Sequence, residues 1–119
     1  MLHGFTQTGN SWKPIAERLA AAGYHAVVID LPGHGDSGGV RADLRRTADM
    51  VAAIGGIATY VGYSLGGRVT LHLSVYPHLT KSTVLIGAHA GIADDDERAR
   101  RREADDAIES RLVEIGIEA

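Results

Sequence analysis

Gly62-Tyr63-Ser64-Leu65-Gly66 follows a short apolar run and precedes a helix-like one. In that setting a serine becomes a nucleophile. A sharp strand-to-helix turn lifts its Oγ out of the sheet, and the first N–H groups of the helix face the reacting centre. Glycines two before and two after Ser64 let strand and helix approach closely. His3-Gly4-Phe5 lies upstream, where enzymes with this turn place a second oxyanion donor. The expected donors are the backbone N–H groups of Phe5 and Leu65, with His3 supporting the loop. Arg68 follows Gly66-Gly67. A guanidinium at the rim of the pocket clamps a carboxylate through two parallel bonds, so Arg68 points to an anionic small-molecule substrate.

Other residues have structural readings. Asp30 ends an apolar run, but the triad acid of such enzymes follows the nucleophile in the chain, which excludes it. His34 and Asp36 shape the loop after Asp30 through side-chain-to-backbone bonds. His72 falls two turns beyond Ser64 and points away from it. His89 sits at the carboxyl end of a strand, where ligands bind in parallel sheets. Trp12 reads as a packing residue near a helix start. No H-E-x-x-H or phosphate-loop motif occurs, so neither a metal nor a cofactor is expected.

The elements that must position these residues alternate. Trp12–Ala22 has a helical period with Ile15, Ala16, Leu19, Ala20 and Ala22 on one face, and Gly23 stops it. Ala26–Ile29 is a continuous apolar run, the pattern of a strand buried on both faces. Asp30–Gly39 is a breaker-rich loop. Asp43–Ile54 is a helix with Leu44, Ala48, Val51 and Ala52 inward. Ile57–Val61 is a second strand, Leu65–Tyr76 a helix closed by Pro77, and Ser82–Ile86 a third strand. The alternation predicts an α/β fold with a mostly parallel sheet and flanking helices. Asp94–Arg111 is a charged helix, with Asp94, Asp95, Asp96 and Glu97 at its positive dipole end. Its charge pattern alone reads as a solvated helix laced with ion pairs.

The chain has 119 residues, a formal net charge of −3, no cysteine and 45% hydrophobic residues. That length allows one domain at most. The acidic balance argues against nucleic-acid and membrane partners. Absence of cysteine excludes disulfides and thiolate metal sites. No apolar run is long enough to span a membrane. Met1-Leu2-His3-Gly4 does not open a signal peptide, so a cytoplasmic location is expected.

Three blocks carry a family resemblance: Leu2-His3-Gly4-Phe5, Asp30-Leu31-Pro32-Gly33-His34-Gly35-Asp36-Ser37 and Gly62-Tyr63-Ser64-Leu65-Gly66-Gly67-Arg68. In order and spacing they resemble the α/β-hydrolase superfamily. Gly91-Ile92 followed by Glu97-Arg98-Ala99-Arg100-Arg101 and Asp105 is similar to the menaquinone-pathway 2-succinyl-6-hydroxy-2,4-cyclohexadiene-1-carboxylate synthases. Ala90 departs from the proline many members carry there. The resemblance implies a lyase that removes a proton from its substrate and eliminates pyruvate. It implies Ser64 as the catalytic serine, acting as a proton acceptor and not as an acyl carrier. It also implies Tyr63, Arg68, Arg101 and Arg98 as residues of the substrate pocket. Residues 1–91 then form a partial α/β-hydrolase core, and 92–119 begin a helical cap.

A serine needs an adjacent base and an orienting carboxylate. The family supplies both from later strands, so the chain reads as an internal fragment, inactive by itself. The family's third strand, cut here to Met1-Leu2, is expected to leave a gap between Ala26–Leu31 and Ile57–Val61. The alternatives are a serine carboxylesterase or C–C hydrolase of the same superfamily, and a non-catalytic remnant.

Overall fold

A computed structural model describes residues 1–116. Helix α1 spans Lys13–Ala21, α2 Leu44–Gly55, strand β1 Ala58–Tyr63, α3 Leu65–Leu73, β2 Thr80–Ile86 and α4 Asp95–Ile115. The chain is an α/β structure. β1 and β2 pair in parallel, from Ala58 opposite Thr80 to Tyr63 opposite Ile86, with α3 as the crossover packed on both.

Local chemistry explains the helix boundaries. Pro14 opens α1, where a missing N–H costs nothing. Asp43 caps α2 by accepting the N–H of Arg46 at 2.7 Å, and Asp94 caps α4 by accepting that of Glu97 at 2.7 Å. Gly56, at φ +56°, lets the chain leave α2 in a conformation that side chains resist.

Leu2, Leu31, Ala48, Val51, Tyr60, Val69 and Leu73 form the core, joined by Leu44 and Ala52 from the inward face expected of α2. Leu2 is its structural centre. Its N–H donates to the Val61 carbonyl at 2.8 Å, and its own carbonyl accepts the N–H of Tyr63 at 3.1 Å. On the other side the N–H of Ile29 reaches the Met1 carbonyl at 3.3 Å, and the Met1 amino group donates to the Val27 carbonyl at 2.7 Å. Met1-Leu2 therefore occupies the central slot between 26–31 and β1, and the expected gap is filled by two residues. With a partner this short, Ala26–Ile29 makes only an isolated bridge at Ile29 and is not a ladder strand. This corrects the expectation of a strand buried on both faces, since residues 26–29 are only half-buried.

A second correction concerns α1. Ile15, Ala16, Leu19 and Ala20 share the expected apolar face, the pattern of a buried one, yet no residue of α1 is buried, and Ile15 is 47% exposed. Ala16 instead lines a broad trough of about 740 Å³, between Val27–Asp30 and the Met50, Val51 and Ile54 side of α2. The face meets open space because no strand lies beyond the 27–30 edge among the described residues. Ile57, expected in a strand, lies outside β1 and is 64% exposed. Helix α4 extends the expected Asp94–Arg111 helix and buries none of its residues. Residues 117–119, the end of the expected cap segment, lie outside the described residues.

Candidate active site

Ser64 joins β1 to α3 at φ +50° and ψ −109°. Among the described residues it is the one non-glycine residue at positive φ. Such a backbone costs about 1–3 kcal/mol and persists where its surroundings enforce it. The surroundings here are close packing of glycines. A Cβ on Gly62 would lie under 3.0 Å from the carbonyl of Gly66, and one on Gly66 under 3.0 Å from the carbonyl of Leu2. A Cβ on Gly67 would collide with Ala88. The turn is further tied by the N–H of Ser64 on the Ile86 carbonyl at 2.9 Å and by the Thr70 hydroxyl on the Gly66 carbonyl at 2.9 Å.

The expected oxyanion donors come from two separate segments. Leu65 is the first residue of α3, so its N–H has no intrahelical acceptor. The N–H of Phe5 follows the Gly4 carbonyl, which is held by the His3 ring at 2.8 Å and by the N–H of Gln7 at 3.1 Å. In a trans peptide the N–H then points the opposite way. Among the described residues neither amide donates to a protein acceptor. Phe5 and Leu65 also line one cavity of about 340 Å³, with His34 and Asp43 at its wall. A bond from the N–H of Gly66 to the His3 carbonyl, 3.0 Å, fastens the two segments together.

His3 is completely buried. Its Nδ1 faces the Gly4 carbonyl and its Nε2 accepts the N–H of Leu31 at 3.0 Å. One donor and one acceptor are used, which fixes a neutral tautomer with the proton on Nδ1. Asp30 accepts the N–H of Gly9 at 2.6 Å and of Asp36 at 2.9 Å. These two amides hold its carboxyl below the usual carboxylate range. Both its oxygens are thus engaged by backbone of the loop. Asp36 shapes this loop through its backbone N–H, and not through its side chain as expected.

The expected substrate residues divide into two groups. Tyr63 is 41% exposed at the end of β1, with its ring against Gly4 and Gly87, where added Cβ atoms would lie at 3.0 Å and 3.5 Å. Arg68 is exposed in the first turn of α3, its N–H on the Ser64 carbonyl at 3.1 Å. These two flank Ser64. Arg98 and Arg101 are on α4 and pair with its carboxylates, Arg98 with Asp95 and Arg101 with Asp105 at 2.9 Å. Among the described residues no hydrogen bond or ion pair joins α4 to the Ser64 turn. Among the described residues no side chain hydrogen-bonds the Ser64 hydroxyl, and no group of three His, Asp or Glu residues is placed to hold a metal. No described helix is long and apolar enough to cross a membrane. His89 is exposed and bonds Gly91, and His72 is exposed.

Two contributors escaped the sequence reading. Gln7 Oε1 accepts the N–H of Gly4 at 3.1 Å, and His34 reaches the Phe5 carbonyl. The Gln7 contact spans three residues and was accessible as a turn pattern. The His34 contact joins residues 29 positions apart and had no local signal.

The profile of the Alpha/beta hydrolase family matches residues 1–116. Several curated relatives carry the name 2-succinyl-6-hydroxy-2,4-cyclohexadiene-1-carboxylate synthase. The one from Yersinia enterocolitica is 34% identical over 112 residues, 87% of this chain and 40% of the relative. That from Photorhabdus laumondii is 37% identical over 112 residues, again 87% and 40%. That from Serratia proteamaculans is 34% identical over 119 residues, 93% of this chain and 46% of the relative. The chain thus spans less than half the length of these relatives. No solved structure matches it significantly.

Proposed function

The chain belongs to the alpha/beta hydrolase family, and on that footing we propose that it is the serine-bearing part of a 2-succinyl-6-hydroxy-2,4-cyclohexadiene-1-carboxylate synthase. Such an enzyme is a cytoplasmic lyase that removes a proton from a small polycarboxylate and eliminates pyruvate. The observation that carries the reading is Ser64 at φ +50° between two segments with unengaged amides, in a chain whose relatives bear the synthase name.

In this reading Ser64 Oγ, once deprotonated by a base from beyond these residues, accepts the substrate proton. The N–H groups of Phe5 and Leu65 stabilise the negative charge that develops on substrate oxygen. Arg68 holds a carboxylate at the rim, and Tyr63 forms the adjacent wall. Arg98 and Arg101 supply further cation contacts when α4, the start of the cap over residues 92–119, folds over the substrate.

The test is a chimera. Residues 1–116 replace the corresponding stretch of the Yersinia enterocolitica synthase, to which 87% of the chain aligns, and pyruvate release is measured with the pyruvate-bearing precursor. The expected result is pyruvate release that Arg68→Ala reduces. Turnover of a p-nitrophenyl ester, indifferent to Arg68→Ala and without pyruvate release, would make the chain part of an esterase instead. The isolated chain is expected to release none, since among the described residues no base hydrogen-bonds Ser64 Oγ.

A further inference from the structure

The two ring nitrogens of His34 face two carbonyl oxygens. Nδ1 lies 3.0 Å from the Pro32 carbonyl, and Nε2 is hydrogen-bonded to that of Phe5. A carbonyl oxygen accepts and cannot donate, and a neutral imidazole carries one N–H. Neutral His34 therefore bonds one of these carbonyls and turns a lone pair on the other. Only the imidazolium donates to both. The neighbouring ring shows the opposite demand. His3, with its centroid 5.0 Å from that of His34, faces one carbonyl and one N–H, so it is satisfied when neutral.

What His34 holds matters because Phe5 has little else to hold it. The Phe5 side chain is 70% exposed, and its ring meets the His34 ring edge-on with centroids 5.8 Å apart. The peptide before Phe5 is fixed through the Gly4 carbonyl by His3 and Gln7. The peptide after it is fixed through the Phe5 carbonyl by His34. Both peptide planes around the Phe5 Cα are thus set by hydrogen bonds, one of them from an imidazole whose number of N–H donors changes with its protonation.

The charged and titratable groups around His34 come from three places. The 1–9 loop contributes His3. The 30–37 loop contributes Asp30, whose carboxylate is engaged by the amides of Gly9 and Asp36, and Asp36 itself. The start of α2 contributes Asp43, which lines the same 340 Å³ cavity. Among the described residues that cavity has no Lys or Arg in its lining, and its one carboxylate is that of Asp43, compatible with a cation.

We propose that His34 is a positioning residue whose imidazolium clamps the Phe5 and Pro32 carbonyls together, holding the Phe5 N–H beside that of Leu65. Loss of its proton frees one of the two carbonyls and loosens the loop. The proposal rests on the reading of Phe5 as an oxyanion donor.

The test is an NMR titration of the full 119-residue chain, labelled with ¹⁵N and ¹³C, from pH 5 to 9. The expected result at the acid end is protons on both His34 ring nitrogens. The Phe5 and Pro32 carbonyl carbons then titrate with the same midpoint as the ring. Above it the Phe5 and Thr6 amide order parameters fall from about 0.85 towards 0.6, the range that separates rigid from flexible backbone. In His34→Ala they are low throughout and independent of pH. Carbonyl shifts that ignore the ring titration, or amides equally rigid in His34→Ala, would overturn the clamp. This readout needs no turnover, so failure of the pyruvate test leaves it standing, and failure of the titration leaves the synthase reading intact.

Discussion

The carbonyl of His3 accepts the N–H of Gly66 at 3.0 Å, so the loop that presents Phe5 is fastened directly to the first turn of the helix behind Ser64. Leu2 continues the same attachment, with its N–H on Val61 and its carbonyl on Tyr63. The two segments proposed to supply oxyanion donors, far apart in sequence, are thereby held by backbone bonds that need no particular side chain. The side chains that do matter are absent ones, the glycines that let these backbones meet.

Substitution at those glycines is expected to be costly. Gly66→Ala puts a methyl group against the Leu2 carbonyl, a backbone atom that cannot swing away. Overpacking of this kind costs about 1–3 kcal/mol. Urea unfolding followed by circular dichroism will show a lowered midpoint for Gly66→Ala. Gly39→Ala, where nothing lies within 4 Å of the added carbon, will be unchanged.

Ser64→Gly is expected to raise stability. It relieves a backbone held at φ +50°, worth about 1–3 kcal/mol. Against this stands about 0.5–1 kcal/mol for the greater freedom of glycine in the unfolded chain. A net gain near 1 kcal/mol, roughly, follows from these two ranges. The same unfolding experiment checks it, and a less stable Ser64→Gly would mean the turn is unstrained.

The Asp30 carboxyl gives a pH dependence with a definite sign. Its folded pKa is lowered by the amides of Gly9 and Asp36, so its contribution is present above the unfolded value of about 3.9. As pH falls below that value the contribution is lost. Asp30→Asn is expected to be less stable than the parent chain at pH 6, and the difference will shrink as pH falls below about 4. Unfolding midpoints across this range test it; a gap that widens in acid would contradict it.

Arg101 separates stability from substrate binding. Its pair with Asp105 is exposed, with the side chains 67% and 53% accessible. Such helix pairs contribute about 0.3–0.5 kcal/mol. Arg101→Ala will leave the unfolding midpoint of the chain nearly unchanged. In the chimera it will raise KM for the polycarboxylate with little change in kcat, the mark of lost ground-state binding.

The sequence carried the Ser64 turn because its determinants are local: glycines at fixed offsets from one serine, between an apolar run and a helix. It carried the inward face of α2 for the same reason, since Ala48 and Val51 lie one turn apart on an amphipathic helix. It did not carry the fate of α1. Whether Ile15 is buried depends on what lies beyond the 27–30 edge, and no periodicity within α1 reports that. The central role of Leu2 was also out of reach. Two residues have no pattern, and their bonds to Ile29 and Val61 exist only once the chain has folded back on itself. Nor did the sequence reveal the His34–Phe5 contact, which unites two loops that each read as irregular.

Ser64 is proposed as the reacting group of a pyruvate-eliminating site. Its most direct test is pyruvate release by the chimera carrying residues 1–116, with and without Ser64→Ala. Removing a catalytic side chain that acts in the transition state costs about 10³-fold or more in rate. A loss of that order is expected, in a protein that remains folded by circular dichroism. Undiminished pyruvate release from Ser64→Ala would contradict it.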